Sequence, residues 1–153
     1  MRTLTLLILV LALLAFLFAA GAARADNCSI DLKVGDSMKF DQRTVSVSST
    51  CKSITIHLAH QGQMPAQSMG HNVVITSTDA FQSVANDGLK AGLSGNYVPP
   101  NDKRVIASTK IIGGGEKTTS SFAGSLLKPG AAYTFFCSAP GHSSVMRGQL
   151  LVE

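Results

Sequence analysis

No tryptophan, no basic stripe and no apolar run long enough to span a membrane occur in this chain of 153 residues. Its basic side chains from Lys33 to Arg147 stand singly or in pairs without interleaved aromatics, which excludes the electrostatic footprint of a nucleic-acid binder. The apolar stretch Leu4 to Phe18, interrupted only by Thr5, falls short of the ~20 residues that a spanning helix needs. Arg2 supplies a positive start and Ala23-Arg24-Ala25 an A-x-A cleavage pattern, so residues 1–25 read as a secretory signal peptide. No cysteine directly follows the cleavage point, where Asp26 stands, which argues against a lipid anchor. The expected mature chain, residues 26–153, has a size that suits one domain. Without Arg2 and Arg24 its net charge falls from +4 to near +2.

Internal repeats, domain linkers and low-complexity tracts are also lacking. Short strand-like segments recur instead. Ser53 to Ala59 alternates polar and apolar positions, Gly148 to Val152 does so more loosely, and Val73 to Thr76 and Tyr133 to Phe136 are β-rich. Turn residues part them at Gly35-Asp36, Gly62, Pro99-Pro100-Asn101, Gly113-Gly114-Gly115 and Pro129-Gly130. This spacing predicts an all-β sandwich or barrel. One stretch departs from it: Thr78 or Asp79 as N-cap, followed by Phe81, Val84, Ala85 and Leu89, predicts a short helix between strands.

Cysteine is scarce, with three in the chain. In an exported protein that most simply means one disulfide and one thiol set apart. A Cys28–Cys51 bridge closes a loop of about 24 residues and is worth about 3 kcal/mol in the chain-entropy model. The alternative, Cys137 in the disulfide, would waste the one thiol with a histidine and a methionine nearby. Cys137-Ser-Ala-Pro-Gly-His142-Ser-Ser-Val-Met146 places a thiolate, an imidazole and a thioether on one loop, with Pro140-Gly141 bending the chain between the first two. Alone, Cys137 after Phe135-Phe136 would read as a small buried hydrophobe; its neighbours make it a ligand. A second imidazole is available in Met69-Gly70-His71-Asn72. Cys, two His and a weak Met form the trigonal site with a long axial bond that marks blue-copper electron transfer, so one copper cycling between Cu(I) and Cu(II) is expected. A two-copper site would need two bridging cysteines, and a copper delivery or storage protein would show repeated Met or paired Cys. An enzyme using Cys137 and His142 as nucleophile and base would need an orienting acid and leaves Met146 unexplained. Electron carriage rather than catalysis is expected.

The spacings C-x4-H-x3-M and the upstream Met-Gly-His-Asn resemble the azurins, within the cupredoxins. The likeness continues through Asp87-Gly88, Tyr97, Arg104 to Ala107, and Ile112-Gly113 to Glu116-Lys117, from about Asn27 to the end of the chain. The resemblance implies a cupredoxin-like Greek-key sandwich of about eight strands with a helical flap, spanning residues 26–153. It agrees with His71, Cys137, His142 and axial Met146 as ligands, and adds the Gly70 carbonyl as a weak opposite contact. Asn72 is expected to tether the ligand loops by hydrogen bonds. An apolar patch around the C-terminal ligand histidine is implied at Met38, Met64, Met69, Leu89, Ala139, Pro140, Gly141 and Val145. Such a patch suits transient encounters with c-type cytochromes or a copper reductase in the periplasm, with no membrane contact after signal cleavage. His60 falls where azurins carry a buried histidine whose protonation can couple to redox state, whereas His57 on an alternating strand reads as a surface or packed imidazole. Two positions depart from the family pattern. Val73 stands where many azurins have a buried Trp, and Ala139 where Phe is frequent; both bear on potential and core packing, and Ala139 on water access to the loop.

Overall fold

Eight strands run through residues 27–153, the part of the chain that this computed structural model describes; the expected signal peptide, residues 1–25, lies outside the described residues. The order is β1 (Ser29–Val34), β2 (Thr44–Val47), β3 (Ser53–His60), α1 (Ala66–Met69), β4 (Val74–Ser77), α2 (Phe81–Gly88), β5 (Val105–Ser108), β6 (Lys117–Ala123), β7 (Tyr133–Phe136) and β8 (Arg147–Val152). They build a three-stranded sheet, β1-β3-β6, and a five-stranded sheet, β2-β8-β7-β4-β5. Pairing is parallel for β1–β3 and β2–β8 and antiparallel elsewhere. The chain passes back and forth between the two sheets, with only β4–β5 and β7–β8 following one another within one sheet, and the expected all-β sandwich with one helical flap is the architecture observed. No helix among the described residues is long and apolar enough to cross a membrane.

Strand parity decides what each side chain meets. On β3, Ile54, Ile56, Leu58 and His60 point into the core, while His57 points out and lies 3.3 Å from the Thr119 hydroxyl through its Nδ1. All four residues of β7 are buried, because this strand has a covered face on each side. Phe135 packs edge-on against Phe40 in the main core, with ring centroids 5.2 Å apart. Phe136 points the other way, against Phe81 of α2 at 4.9 Å, within a second cluster formed with Val74, Val84 and Ala85. Helix α2 therefore lies on the outer face of the five-stranded sheet.

The flap helix begins later than its sequence suggests. Neither Thr78 nor Asp79 caps it; Ala80 precedes it and makes no side-chain cap. Thr78 is used by the sheet instead, its N–H donating to the Ala132 carbonyl (2.9 Å) and its hydroxyl lying 3.0 Å from that of Thr134. Val73, in place of the family's Trp, is fully buried in the main core. Cys28 and Cys51 form the disulfide, with Cα atoms 5.6 Å apart, and Cys137 is a free, buried thiol.

Candidate metal centre

Two stretches of backbone bring the expected ligands together. His71 follows Gly70 at the end of α1, where a β-carbon on residue 70 would collide with the Ala66 carbonyl oxygen. The backbone of His71 then pairs both ways with Ile112, at 3.0 and 2.9 Å. Cys137 leaves β7 directly, and its N–H donates to the Met146 carbonyl (3.0 Å). Gly141, in the left-handed region at φ 79°, turns the chain into a 3-10 turn at His142–Ser144. The His142 carbonyl accepts the N–H of Val145 (3.1 Å) and of Met146 (2.7 Å), closing the loop before β8. Three ligand candidates are thus folded onto each other by local hydrogen bonds, and β4–β7 pairing carries His71 beside them.

Cys137 Sγ lies 3.8 Å from Nδ1 of His71 and 3.5 Å from Nδ1 of His142. One donor atom from each residue falls within 4.8 Å of the others, and all three residues are buried. No other cluster of three His, Cys, Asp or Glu with such geometry occurs among the described residues. The Met146 side chain is fully buried on the same loop. His71 Nε2–H donates to the Gly35 carbonyl (2.9 Å), which keeps the proton on Nε2 and leaves the Nδ1 lone pair facing the thiol.

Burial sets the charge of this cluster. It pushes the Cys137 thiol up to about 11, with N–H groups of Asn72 and Ala139 pulling weakly the other way. It pushes the His71 imidazole down to about 4 against the Gly35 hydrogen bond, helped by the neighbouring His142 and His60, and it lowers His142 as well. The apo pocket therefore holds a neutral thiol and neutral imidazoles at pH 7. With a cation bound, Cys137 Sγ would be held as the thiolate. Two neutral imidazoles, a polarisable sulfur and a buried thioether are the donor set that copper takes, so the residues present fit the expected metal.

His60 stacks on His71, with centroids 5.2 Å apart and planes at 24°. Its Nδ1 accepts the Gly62 N–H (3.1 Å) and its Nε2–H donates to the Met69 carbonyl (3.0 Å). Asn72 joins the ligand loops as expected: its Oδ1 accepts the Ser138 N–H (2.9 Å), and its Nδ2 donates to the Ser138 hydroxyl (2.9 Å) and the Asn96 carbonyl (2.8 Å). Met38, Met64, Leu89 and Val145 are exposed, as are Pro140 and Gly141, while Met69 is half-buried. Ala139 corrects the expected patch. It is only 5% exposed and packs into the main core, because the loop folds inward between Cys137 and His142. Nor does Ala139 open the thiol to water, since Cys137 is fully buried. Gly35, Ile112 and Asn96 were not expected at the site. Gly35-Asp36 carries only a turn signal, and the other two act largely through backbone atoms. A groove of about 980 Å³ lies between the flap and residues 98–105, and none of the four ligand candidates lines it.

The family model for copper-binding proteins of the plastocyanin/azurin family matches residues 26–153. The chain is 48% identical to the azurin of Pseudomonas denitrificans over 127 residues, covering 83% of this chain and 99% of the relative. It is 43% identical to the azurin of Pseudomonas aeruginosa, covering 84% and 87%. Among solved structures, it is similar to the azurin Az-iso2 of the methylotroph Methylomonas sp. strain J, with TM-score 0.80 and 47% identity over 82% of this chain and 98% of that one. With this fold, this buried His–Cys–His cluster and these relatives, the chain belongs to the plastocyanin/azurin family of copper-binding proteins and is a blue-copper electron carrier.

Proposed function

We propose that His71 Nδ1, Cys137 Sγ, His142 Nδ1 and the Met146 thioether would hold one copper ion, with the Gly70 carbonyl as a further weak contact. On this reading the protein shuttles single electrons between partner proteins in the periplasm and catalyses no reaction of its own. The observation that carries it is the buried convergence of two Nδ1 atoms on one thiol sulfur. Bound copper supplies a one-electron Cu(II)/Cu(I) couple.

The chain supplies the rest. Cys137 gives up its proton to become the thiolate ligand, and burial keeps water from it. Gly35 holds the His71 ring in the productive tautomer. The backbone bonds from Cys137 to Met146 and from His71 to Ile112 keep the donors in one arrangement, so that little rearrangement accompanies a change of charge. His142 is the ligand nearest solvent, between exposed Pro140-Gly141 and Val145, and offers the route by which an electron leaves. Export to the periplasm is supported by the pattern in residues 1–25 and by the Cys28–Cys51 bridge, which persists in an oxidising compartment. Exposed Met38, Met64, Leu89 and Val145 suit small, short-lived contacts with c-type cytochromes or a copper reductase. Replacing Cys137 by Ser tests the ligand assignment. The variant should fold with an unchanged circular-dichroism spectrum and lose the intense visible band on Cu(II) addition; a retained band would sink the assignment.

A further inference from the structure

Beyond the flap helix, Asn96 ends the 3-10 turn Leu93–Gly95 in an unusual backbone state. It and Tyr97 are consecutive non-glycine residues in the left-handed region, at φ 56° and 51°. Asparagine tolerates that region through local hydrogen bonds; tyrosine does not, so the pair persists only where its surroundings over-determine it. Here the Tyr97 N–H donates to the Gly92 carbonyl (2.9 Å) and the Tyr97 side chain packs against the main core. The consequence is that both acceptor atoms of Asn96 are turned towards the metal-site loops. Its carbonyl accepts the Asn72 Nδ2–H (2.8 Å) and a longer contact from the Ser138 hydroxyl (3.4 Å), and its Oδ1 accepts the Ile111 N–H (2.9 Å).

Each of those partners is a chain neighbour of the site. Asn72 follows His71, Ser138 follows Cys137, and Ile111 precedes Ile112, whose backbone clamps His71 from both sides. We propose that Asn96 is a positioning residue for the metal centre, tying the flap to the three segments that orient His71 and Cys137. The proposal rests on the ligand assignment above. It assigns Asn96 no contact with the metal: it acts through Asn72, Ser138 and Ile111.

Three variants separate its two acceptors. Asn96→Gly keeps the positive φ and the carbonyl but loses Oδ1; Asn96→Ala loses Oδ1 and also resists the left-handed backbone; Asn96→Asp keeps an Oδ1 acceptor and tolerates the backbone. Two readouts apply: amide hydrogen exchange of the metal-free proteins by NMR, and copper affinity by chelator competition with the Cu(II) hyperfine splitting recorded beside it. Asn96→Gly should speed exchange at the Ile111 amide about tenfold and spare Ser138. Asn96→Ala should speed both, weaken copper at least tenfold and change the hyperfine splitting, in line with the 10–100-fold that loss of an outer-shell partner costs. Asn96→Asp should stay within about threefold of wild type in affinity. Unchanged affinity and splitting in both Gly and Ala variants, with only a lowered melting temperature, would overturn the proposal, and so would failure of Asp to restore them. A wild-type protein that binds no copper would overturn the ligand assignment itself, a result distinct from either.

Discussion

Asn72 is fully buried, follows His71 in the chain and bonds through its side chain to Ser138, which follows Cys137, so its removal gives a sharp test of how the site is held. Asn72→Ala deletes bonds to the Asn96 carbonyl (2.8 Å), the Ser138 hydroxyl (2.9 and 3.3 Å) and the Ser138 N–H (2.9 Å). These losses are unequal. The half-buried Asn96 carbonyl can take a water, and the Ser138 hydroxyl can turn fully to Asn96, 3.4 Å away. The Ser138 N–H is buried and donates to Asn72 Oδ1, so the loss of that acceptor alone costs about 1–3 kcal/mol, and the net loss of the other bonds adds about 1 kcal/mol. The total is about 2–4 kcal/mol, which for a domain of this size lowers the melting temperature by roughly 8–15 °C. Calorimetry or circular-dichroism melts should be run on the metal-free protein, since bound copper would add its own stabilisation. Ser138→Ala, which removes the hydroxyl and leaves the N–H satisfied, is the control and should cost about 1 kcal/mol or less. A drop below about 3 °C for Asn72→Ala, or an equal drop for the control, would refute this reasoning.

Met146→Leu should raise the reduction potential and keep the blue colour, because an apolar axial neighbour disfavours the more highly charged Cu(II); cyclic voltammetry reads the sign, and a lowered potential would count against a weak axial role. Lys at Met64 or at Val145, both exposed, should leave the absorption spectrum intact and slow electron self-exchange measured by NMR line broadening. The metal-free protein should be most stable between about pH 6.5 and 9. Below that window the unfolded chain protonates His71 near 6.5 while the fold resists until about 4, so stability falls as pH drops. Above it, the unfolded chain ionises Cys137 near 9 while the fold holds the proton to about 11, so stability falls as pH rises. Melting temperatures across pH 4 to 11 check both limbs, and a flat profile would contradict the burial argument.

Where an element declares itself through side-chain alternation, the sequence names it well. Tyr133 to Phe136 is found at its true bounds, and Ser53 to Ala59 is one residue short of β3. Strand β6 was not legible, because Lys-Thr-Thr-Ser-Ser-Phe-Ala buries only Phe122 and is held by pairing with β3. Helix α1 has no buried residue and no side-chain cap; its turn is made by Ser68 and Met69 N–H groups donating to the Pro65 carbonyl. The site divides the same way. Cys137, His142 and Met146 are legible because one loop carries all three, and each ligand type is rare in this chain. Gly35, Ile112 and the Asn96 carbonyl serve through backbone atoms from distant segments, where residue identity records little. Parity accounts for the two remaining histidines, since His57 and His60 lie an odd number of positions apart on β3 and face opposite sides. The family resemblance placed Ala139 on the surface patch, and the inward fold of the copper loop reverses that.

The central claim is that one thiolate and two imidazoles, gathered in the core, hold a single copper. Titrating the metal-free protein with Cu(II) while recording visible absorption and the count of reactive thiol after unfolding tests it directly. The account predicts an intense thiolate-to-copper band that rises linearly, stops at one equivalent, and bleaches on reduction while the Cys137 thiol remains intact. A weak band without thiolate character, or saturation at another stoichiometry, would contradict it.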